Sequence, residues 1–221
     1  MIDCEQVVHS APWVASLFPA GATATEVRGT VSPTHLFREE QICVAMAVRK
    51  RQSEFAAGRL CARRALVEIG FGEAPLLTAK DRMPLWPIGA VGSISHTDEY
   101  CVAVVGLTRI FSGIGVDTEI LGRVEPNLWR YAFRVEEINR LQDMRGPQQI
   151  EAATVMFCAK EAFYKCQFTM TREWLEFDDV LVEPFEDRFR IVVCNRSRRA
   201  SSPLHGRFAT DGVRVVCGIA M

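Results

Sequence analysis

The sequence predicts a mixed α/β chain of two similar-sized halves, and three observations predict it. Apolar residues recur at helical spacing in one long segment before the middle of the chain and in another after it. Short β-branched runs bounded by turn residues follow each of those segments. Between the halves, residues 109–112 are neither long nor Ser/Gly-rich, so they are no free linker and the halves pack tightly together. With 221 residues, 48% of them apolar, the chain can bury one generous core or two modest ones.

Residues 1–33 mix Pro, Ala, Gly and Thr with short apolar runs, which predicts irregular or short-strand structure. From Glu39 to about Ile69, Val44, Val48, Phe55, Leu60, Ala65, Leu66 and Ile69 stand near helical spacing amid Arg and Lys. Gly70 and Gly72 follow as stop signals, so the segment reads as a helix pair or one kinked helix. Residues 83–89 hold Pro84 and Pro87, which remove donors and restrict the residues before them; this is a fixed loop. Residues 91–96, 100–107 and 114–119 are short and β-branched enough to be strands. Residues 122–150 intersperse Arg123, Arg130, Arg134, Arg140 and Arg145 with Leu128, Trp129, Phe133, Ile138 and Leu141, a partly helical, partly mobile pattern. Residues 151–168 read as a helix. Strands are expected again at 180–182, 189–193, 207–209 and 213–219, the last two joined by the turn signal Thr210-Asp211-Gly212.

Lys and Arg number 26 against 27 Asp and Glu, a formal net charge of -1, so affinity for phosphate must come from a local patch and a nucleic-acid coat is not expected. Cysteines stand at 4, 43, 61, 101, 158, 166, 194 and 217 with no C-x-x-C pair, which argues against structural zinc or a disulfide scaffold and for reduced, mostly buried thiols. Nothing at the start reads as a basic segment followed by an apolar one, and no run of about 18 apolar residues is seen, so a cytoplasmic location is expected. No repeat of 20–50 residues is visible, so a solenoid is not expected.

Side chains alternate faces along a strand, so in Gly113-Ile114-Gly115-Val116-Asp117-Thr118-Glu119 the two carboxylates share one face with the two glycines. That leaves the space before Asp117 and Glu119 open to a hydrated cation and a phosphate; a solvated strand edge is the plainer alternative. In Phe157-Cys158-Ala159-Lys160-Glu161-Ala162-Phe163-Tyr164-Lys165, Glu161 and Lys165 lie one helical turn apart. A surface ion pair would contribute only about 0.3–0.5 kcal/mol. The bulky neighbours place this helix inside, where Glu161 can be a third carboxylate for the same cation. Ser95 and His96 end a strand, a common place for phosphate contacts. Arg51 and Arg59, two turns apart on one helical face, can grip one phosphate or simply be solvated.

These segments, in this order, resemble the 4'-phosphopantetheinyl transferases of the single-chain, two-half class that includes the enterobactin synthase D component. The matched pieces are 51–66 (RQSEFAAGRLCARRAL), 82–97 (RMPLWPIGAVGSISHT), 113–119 (GIGVDTE) and 157–165 (FCAKEAFYK), with pattern also in Trp174-Leu175-Glu176-Phe177. The resemblance implies an α+β fold of two pseudo-symmetric halves, 1–111 and 112–221, each a small sheet packed on a helix, with the active site in the cleft between them. It implies transfer of the phosphopantetheine arm from coenzyme A to a serine of an apo acyl or peptidyl carrier protein, releasing 3',5'-ADP, for siderophore or other secondary-metabolite synthesis, by a monomer. It assigns Asp117, Glu119 and Glu161 to Mg²⁺, with Glu161 also as base. Arg51, Arg59, Ser95 and His96 are assigned to the 3'-phosphate and nucleotide end, and Lys160 and Lys165 to the pyrophosphate, where Lys165 protonates or neutralises the departing ADP. Thr118 and Thr78 depart from the family pattern, Thr78 standing near where some relatives place a phosphate-binding lysine that Lys80 or Arg82 can replace.

The chemistry asks for such a set: charge at phosphorus must be neutralised, and a serine hydroxyl needs a carboxylate to take its proton. Two rival classes remain. A silent carrier-binding module would keep the fold and lose the chemistry, and a metal-dependent nucleotide hydrolase would use the carboxylates to activate water. The arginines of 123–145, with Trp129 and Phe133 among them, are the expected docking surface for an acidic carrier helix.

Overall fold

The computed structural model of the chain describes residues 8–194 and 203–221. Cys4 lies outside the described residues. Two antiparallel sheets, each with one long helix on a face, make up the α+β architecture.

The first sheet has the order β1-β2-β4-β3, from β1 (His9–Ser10), β2 (Thr23–Arg28), β3 (Ala90–Thr97) and β4 (Tyr100–Leu107). The irregular N-terminal stretch thus supplies a six-residue strand that pairs with β4 along its whole length, from Thr23↔Val105 to Arg28↔Tyr100. The short-strand alternative expected for this stretch holds, with pairing to β4 fixing its extent. The region 39–69 is a helix pair, α2 (Arg38–Val44) and α3 (Arg49–Glu68), after the short α1 (Pro12–Ala15). α3 buries Phe55, Leu60, Cys61 and Ala62 against Val27, Cys101 and Ala103 of the sheet. The proline-rich loop carries no helix or strand apart from one bridge, Thr78↔Pro84.

The second sheet has the order β5-β9-β8-β7-β6, from β5 (Ile114–Ile120), β6 (Val180–Phe185), β7 (Arg188–Val193), β8 (Leu204–Thr210) and β9 (Arg214–Ala220). Pro184 is tolerated because β6 is the sheet edge, where the missing N–H breaks no ladder. Residues 122–150 form α4 (Pro126–Ala132) and α5 (Val135–Gln142), pinned by buried Trp129, Phe133 and Leu141. The long helix α6 runs from Gly146 to Thr171, longer at both ends than the apolar pattern indicates. Pro147 is accepted in its first turn, and Arg172 ends it in the left-handed conformation, φ 58°.

Strand β5 touches both systems. It pairs with β9 and lies beside β3, where serine side chains replace a ladder. Ser93 Oγ accepts from Val116 N (3.1 Å), and Ser95 Oγ accepts from Thr118 N (3.3 Å).

Candidate active site

Asp117 sits at the centre of the seam. Its Oδ1 accepts from Ser95 Oγ (2.7 Å) on β3 and from Lys165 Nζ (2.7 Å) on α6, and its Oδ2 is buried with no hydrogen-bond partner. The Lys165 ammonium also donates to Val116 O (3.1 Å) and more weakly to Ile94 O (3.4 Å), so it touches strands of both sheets. Burial works against its charge, but Asp117 and then Glu161 outweigh that and raise its pKa, so it is a cation at neutral pH.

Glu119 and Glu161 both lie within electrostatic reach of Asp117. Burial, then the negative charge of Asp117, pushes the Glu119 carboxyl up to about 7. Burial and Asp117 also raise Glu161. Burial and the Asp117 charge outweigh the Lys165 cation at both carboxyls, so a further positive charge there would be favoured. Among the described residues no group of three His, Cys, Asp or Glu side chains is arranged to hold a metal ion as the side chains stand. An all-carboxylate donor set with one orphaned oxygen nevertheless fits a hard divalent cation of the Mg²⁺ kind.

The glycines do something other than keep the front of the carboxylates open. A Cβ on Gly115 would lie 1.9 Å from Ala162 O, and one on Gly113 would lie 2.9 Å from Cys166 O. The expected open space is filled by α6 itself. The absence of side chains lets helix and strand approach until Glu161 and Lys165 meet Asp117.

His96 ends β3 beside Arg51, whose Nη1 donates to His96 Nε2 (3.0 Å). A guanidinium only donates, so Nε2 is the acceptor and the imidazole is neutral with its proton on Nδ1. Burial, then the Arg51 and Lys165 cations acting against Glu54, lowers its pKa and keeps it neutral. Arg59 is buried, donates to Thr78 Oγ1 (2.7 Å) and stacks on Phe55 at 4.1 Å. Arg51 and Arg59 therefore share a helix face while serving different partners. Thr78 stands within reach of that cationic corner.

Two predicted nucleotide contacts are corrected. Ser95 is 5% exposed and its hydroxyl proton is held by Asp117, so it positions a carboxylate and has no free donor for a nucleotide. Lys160 is fully buried, and its ammonium is engaged by Glu137 Oε2 (2.7 Å), Ala132 O (3.0 Å) and Phe177 O (2.9 Å) inside the second half; it cannot hold a pyrophosphate from there.

From Glu161 and Lys165 a cleft of about 540 Å³ opens between loop 81–86 and loop 173–177. Its walls include five aromatic side chains: Trp86, Tyr164, Phe168, Trp174 and Phe177. Arg172 Nη1 donates to Asp81 Oδ2 (3.0 Å), tying the two loops together. The sequence marks 83–89 as a fixed, functional-looking loop but does not single out Trp86 as a cleft wall, and it gives no sign of this ion pair. The tryptophan lies between two prolines in a loop, a signal of a fixed side chain, but the pair joins residues 91 positions apart and leaves no local trace. The aromatics of the arginine-rich segment also behave differently from expectation: Trp129 is 7% and Phe133 3% exposed, so neither is offered to a partner. Arg123 pairs with Asp98, Arg134 with Glu136 and the Asp178 carbonyl, and Arg140 with Glu183. Arg130 lies over the Tyr131 ring at 4.5 Å.

Two family profiles match: the 4'-phosphopantetheinyl transferase N-terminal domain over residues 38–106 and the 4'-phosphopantetheinyl transferase superfamily over residues 113–217. The chain is 32% identical over 219 residues to the 4'-phosphopantetheinyl transferase Svp of Streptomyces mobaraensis, covering 94% of this chain and 89% of that protein. It is 38% identical over 143 residues to the 4'-phosphopantetheinyl transferase PptT of Mycobacterium tuberculosis (64% and 62%). Over 119 residues it is 38% identical to enterobactin synthase component D of Salmonella typhimurium (54% and 49%). The matched segments thus span from about half to nine-tenths of these relatives' own lengths.

Proposed function

The chain belongs to the 4'-phosphopantetheinyl transferase superfamily, and we propose that it transfers the phosphopantetheine arm of coenzyme A to a serine hydroxyl of an apo carrier protein, releasing 3',5'-ADP. The observation that carries the reading is the grouping of Asp117 and Glu119 on β5 with Glu161 and Lys165 on α6, where Ser95 of β3 holds Asp117 from across the seam and Glu161 and Lys165 line the cleft.

In this reading Asp117, Glu119 and Glu161 hold a Mg²⁺ ion. When bound, that ion neutralises charge on the pyrophosphate. Lys165, held charged by Asp117 and Glu161, stabilises the leaving phosphate of the nucleotide. Glu161 takes the proton of the incoming serine. A carboxylate beside the incoming hydroxyl is the group able to accept that proton. Arg51, Arg59 and the neutral His96 gather the 3'-phosphate end, where His96 Nδ1–H and the guanidiniums are the available donors. The arm lies in the cleft, whose aromatic walls exclude water from the reacting phosphorus. The siderophore setting accords with the enterobactin synthase relatives.

Incubation with coenzyme A, Mg²⁺ and an apo carrier, followed by mass spectrometry of the carrier, tests the reading. A gain of one arm is expected. Binding without a gain would mean a docking module, and cleavage of coenzyme A without a carrier would mean a hydrolase.

A further inference from the structure

The buried Lys160–Glu137 pair is not used by the chemistry above, and its placement calls for a reason. Both side chains are fully buried. Replacing such a pair by apolar residues is often neutral or stabilising, so stability alone accounts poorly for it. Its hydrogen bonds are specific. Lys160 Nζ reaches the last residue of α4 through Ala132 O (3.0 Å) and the cleft wall through Phe177 O (2.9 Å). The Glu137 carboxylate accepts from Lys160, from Arg134 N (2.7 Å) at the start of α5 and from Val182 N (2.7 Å) on β6. Four elements meet on one ion pair.

Phe177 is the element of that set that belongs to the cleft. Its ring stacks on Phe157 at 5.8 Å and meets the Tyr164 ring edge-on at 5.5 Å, while Tyr164 Oη donates to Glu176 O (3.2 Å). Lys160 immediately precedes Glu161 on α6, so one helical turn carries both the carboxylate and the ammonium that holds the opposite wall. We propose that Lys160 and Glu137 are positioning residues: their ion pair fixes the 174–177 wall at a set distance from Glu161 and so sets the width of the cleft that receives the pantetheine arm. This rests on the reading of the cleft given above.

The test compares the parent with Lys160→Met/Glu137→Gln, which removes both charges while Gln keeps an acceptor for Val182 N. Hydrogen exchange is expected to speed up over 174–179 in the variant, and near Arg134, while segments that do not touch the pair, such as β3 and β4, stay unchanged. KM for coenzyme A should rise about tenfold with kcat within about threefold, while inhibition by 3',5'-ADP, which has no arm, stays as in the parent. Lys160→Gln/Glu137→Gln, whose amide can still donate to Phe177 O, should restore much of the KM. Unchanged exchange and unchanged KM, or equal losses for coenzyme A and 3',5'-ADP, would overturn the proposal. Should the Met/Gln variant not fold, rapid exchange of 174–179 in the parent itself would overturn it as well. Local exchange that responds in a protein whose parent transfers no arm would retain the clasp and remove the transfer reading.

Discussion

Lys165 Nζ lies 2.7 Å from Asp117 Oδ1, and the same oxygen is held at 2.7 Å by Ser95 Oγ from the other sheet. One carboxylate oxygen therefore anchors the seam while the second, Asp117 Oδ2, stays buried and unpartnered, free to serve a cation. Structural and chemical roles are divided between two oxygens of one residue.

Asp117→Asn is accordingly expected to lower stability as well as activity. Asp117 is 4% exposed, so the substitution leaves Lys165 without its counter-charge in a half-buried place. A loss of about 1–3 kcal/mol is expected in denaturant unfolding, together with at least about a hundredfold loss of carrier modification. A variant that keeps full activity at saturating Mg²⁺ would remove Asp117 from the metal site.

Without divalent cation, stability should fall as pH rises. Glu119 is raised from 4.5 to about 7 in the folded chain, and Glu161 is raised too. Between those values the folded state holds protons that the unfolded state has lost, so unfolding is favoured as pH climbs through that window. His96, lowered below 6.5, works the other way but only below 6.5, where the unfolded chain binds its proton. Between about pH 6.5 and 7.5 the carboxyls alone act. Tm should decline there, Glu119→Gln should flatten the decline, and Mg²⁺ should raise Tm more at pH 8 than at pH 5. An equal Mg²⁺ effect at both pH values would mean that the ion binds elsewhere.

Arg51 and Arg59 should separate. Arg51 is exposed and bonds to His96, so Arg51→Ala should raise KM for coenzyme A about tenfold with little change in Tm. With 3'-dephospho-coenzyme A the variant should match the parent. Arg59 is buried against Phe55 and bonded to Thr78, so Arg59→Ala should add a stability loss of about 1–3 kcal/mol. Equal losses of Arg51→Ala on both substrates would place that guanidinium away from the 3'-phosphate.

Gly115→Ala should be among the most damaging single changes outside the chemistry. Its methyl would lie 1.9 Å from the Ala162 carbonyl oxygen, backbone against side chain with no rotamer to relieve it. Strand and helix must separate, which costs at least about 3 kcal/mol and draws Glu161 and Lys165 away from Asp117. Near-parent Tm in this variant would contradict the close packing of β5 and α6.

The long helices and most strands were legible because their apolar periodicity is local. For residues 1–33 the sequence leaves irregular and short-strand structure both open, and it is the place between β1 and β4 that fixes Thr23–Arg28 as a strand. The Asp117–Glu119 face and the Glu161–Lys165 turn were legible for the same local reason. Motif spacing could not reveal which way Lys160 points. Adjacent residues on a helix diverge by about 100°, so Glu161 faces the seam while Lys160 faces Glu137. In the sequence alone the 113/115 glycines read as space for a ligand, whereas in the fold they are space for a helix backbone; both need a missing Cβ, and only the tertiary partner distinguishes them.

The carrier surface is the last matter to test. The arginine-rich segment keeps its charge in the fold but loses its aromatics to the core, and Arg134 is tied to Glu136 and the Asp178 carbonyl next to the cleft wall. Reversing Arg134 would therefore disturb the 174–179 wall directly. Arg130 is the cleaner probe, since its side chain lies over the exposed Tyr131 ring. If an acidic carrier helix docks on α4, Arg130→Glu should raise carrier KM several-fold at low salt, weaken the salt dependence of association and leave coenzyme A binding untouched. Leu128 and Tyr131, 46% and 64% exposed on the same short helix, supply apolar area beside that charge. Tyr131→Ala should then add to the effect of Arg130→Glu in proportion to the lost contact. A carrier KM unchanged by both substitutions would move the docking surface off α4 to another part of the cleft rim.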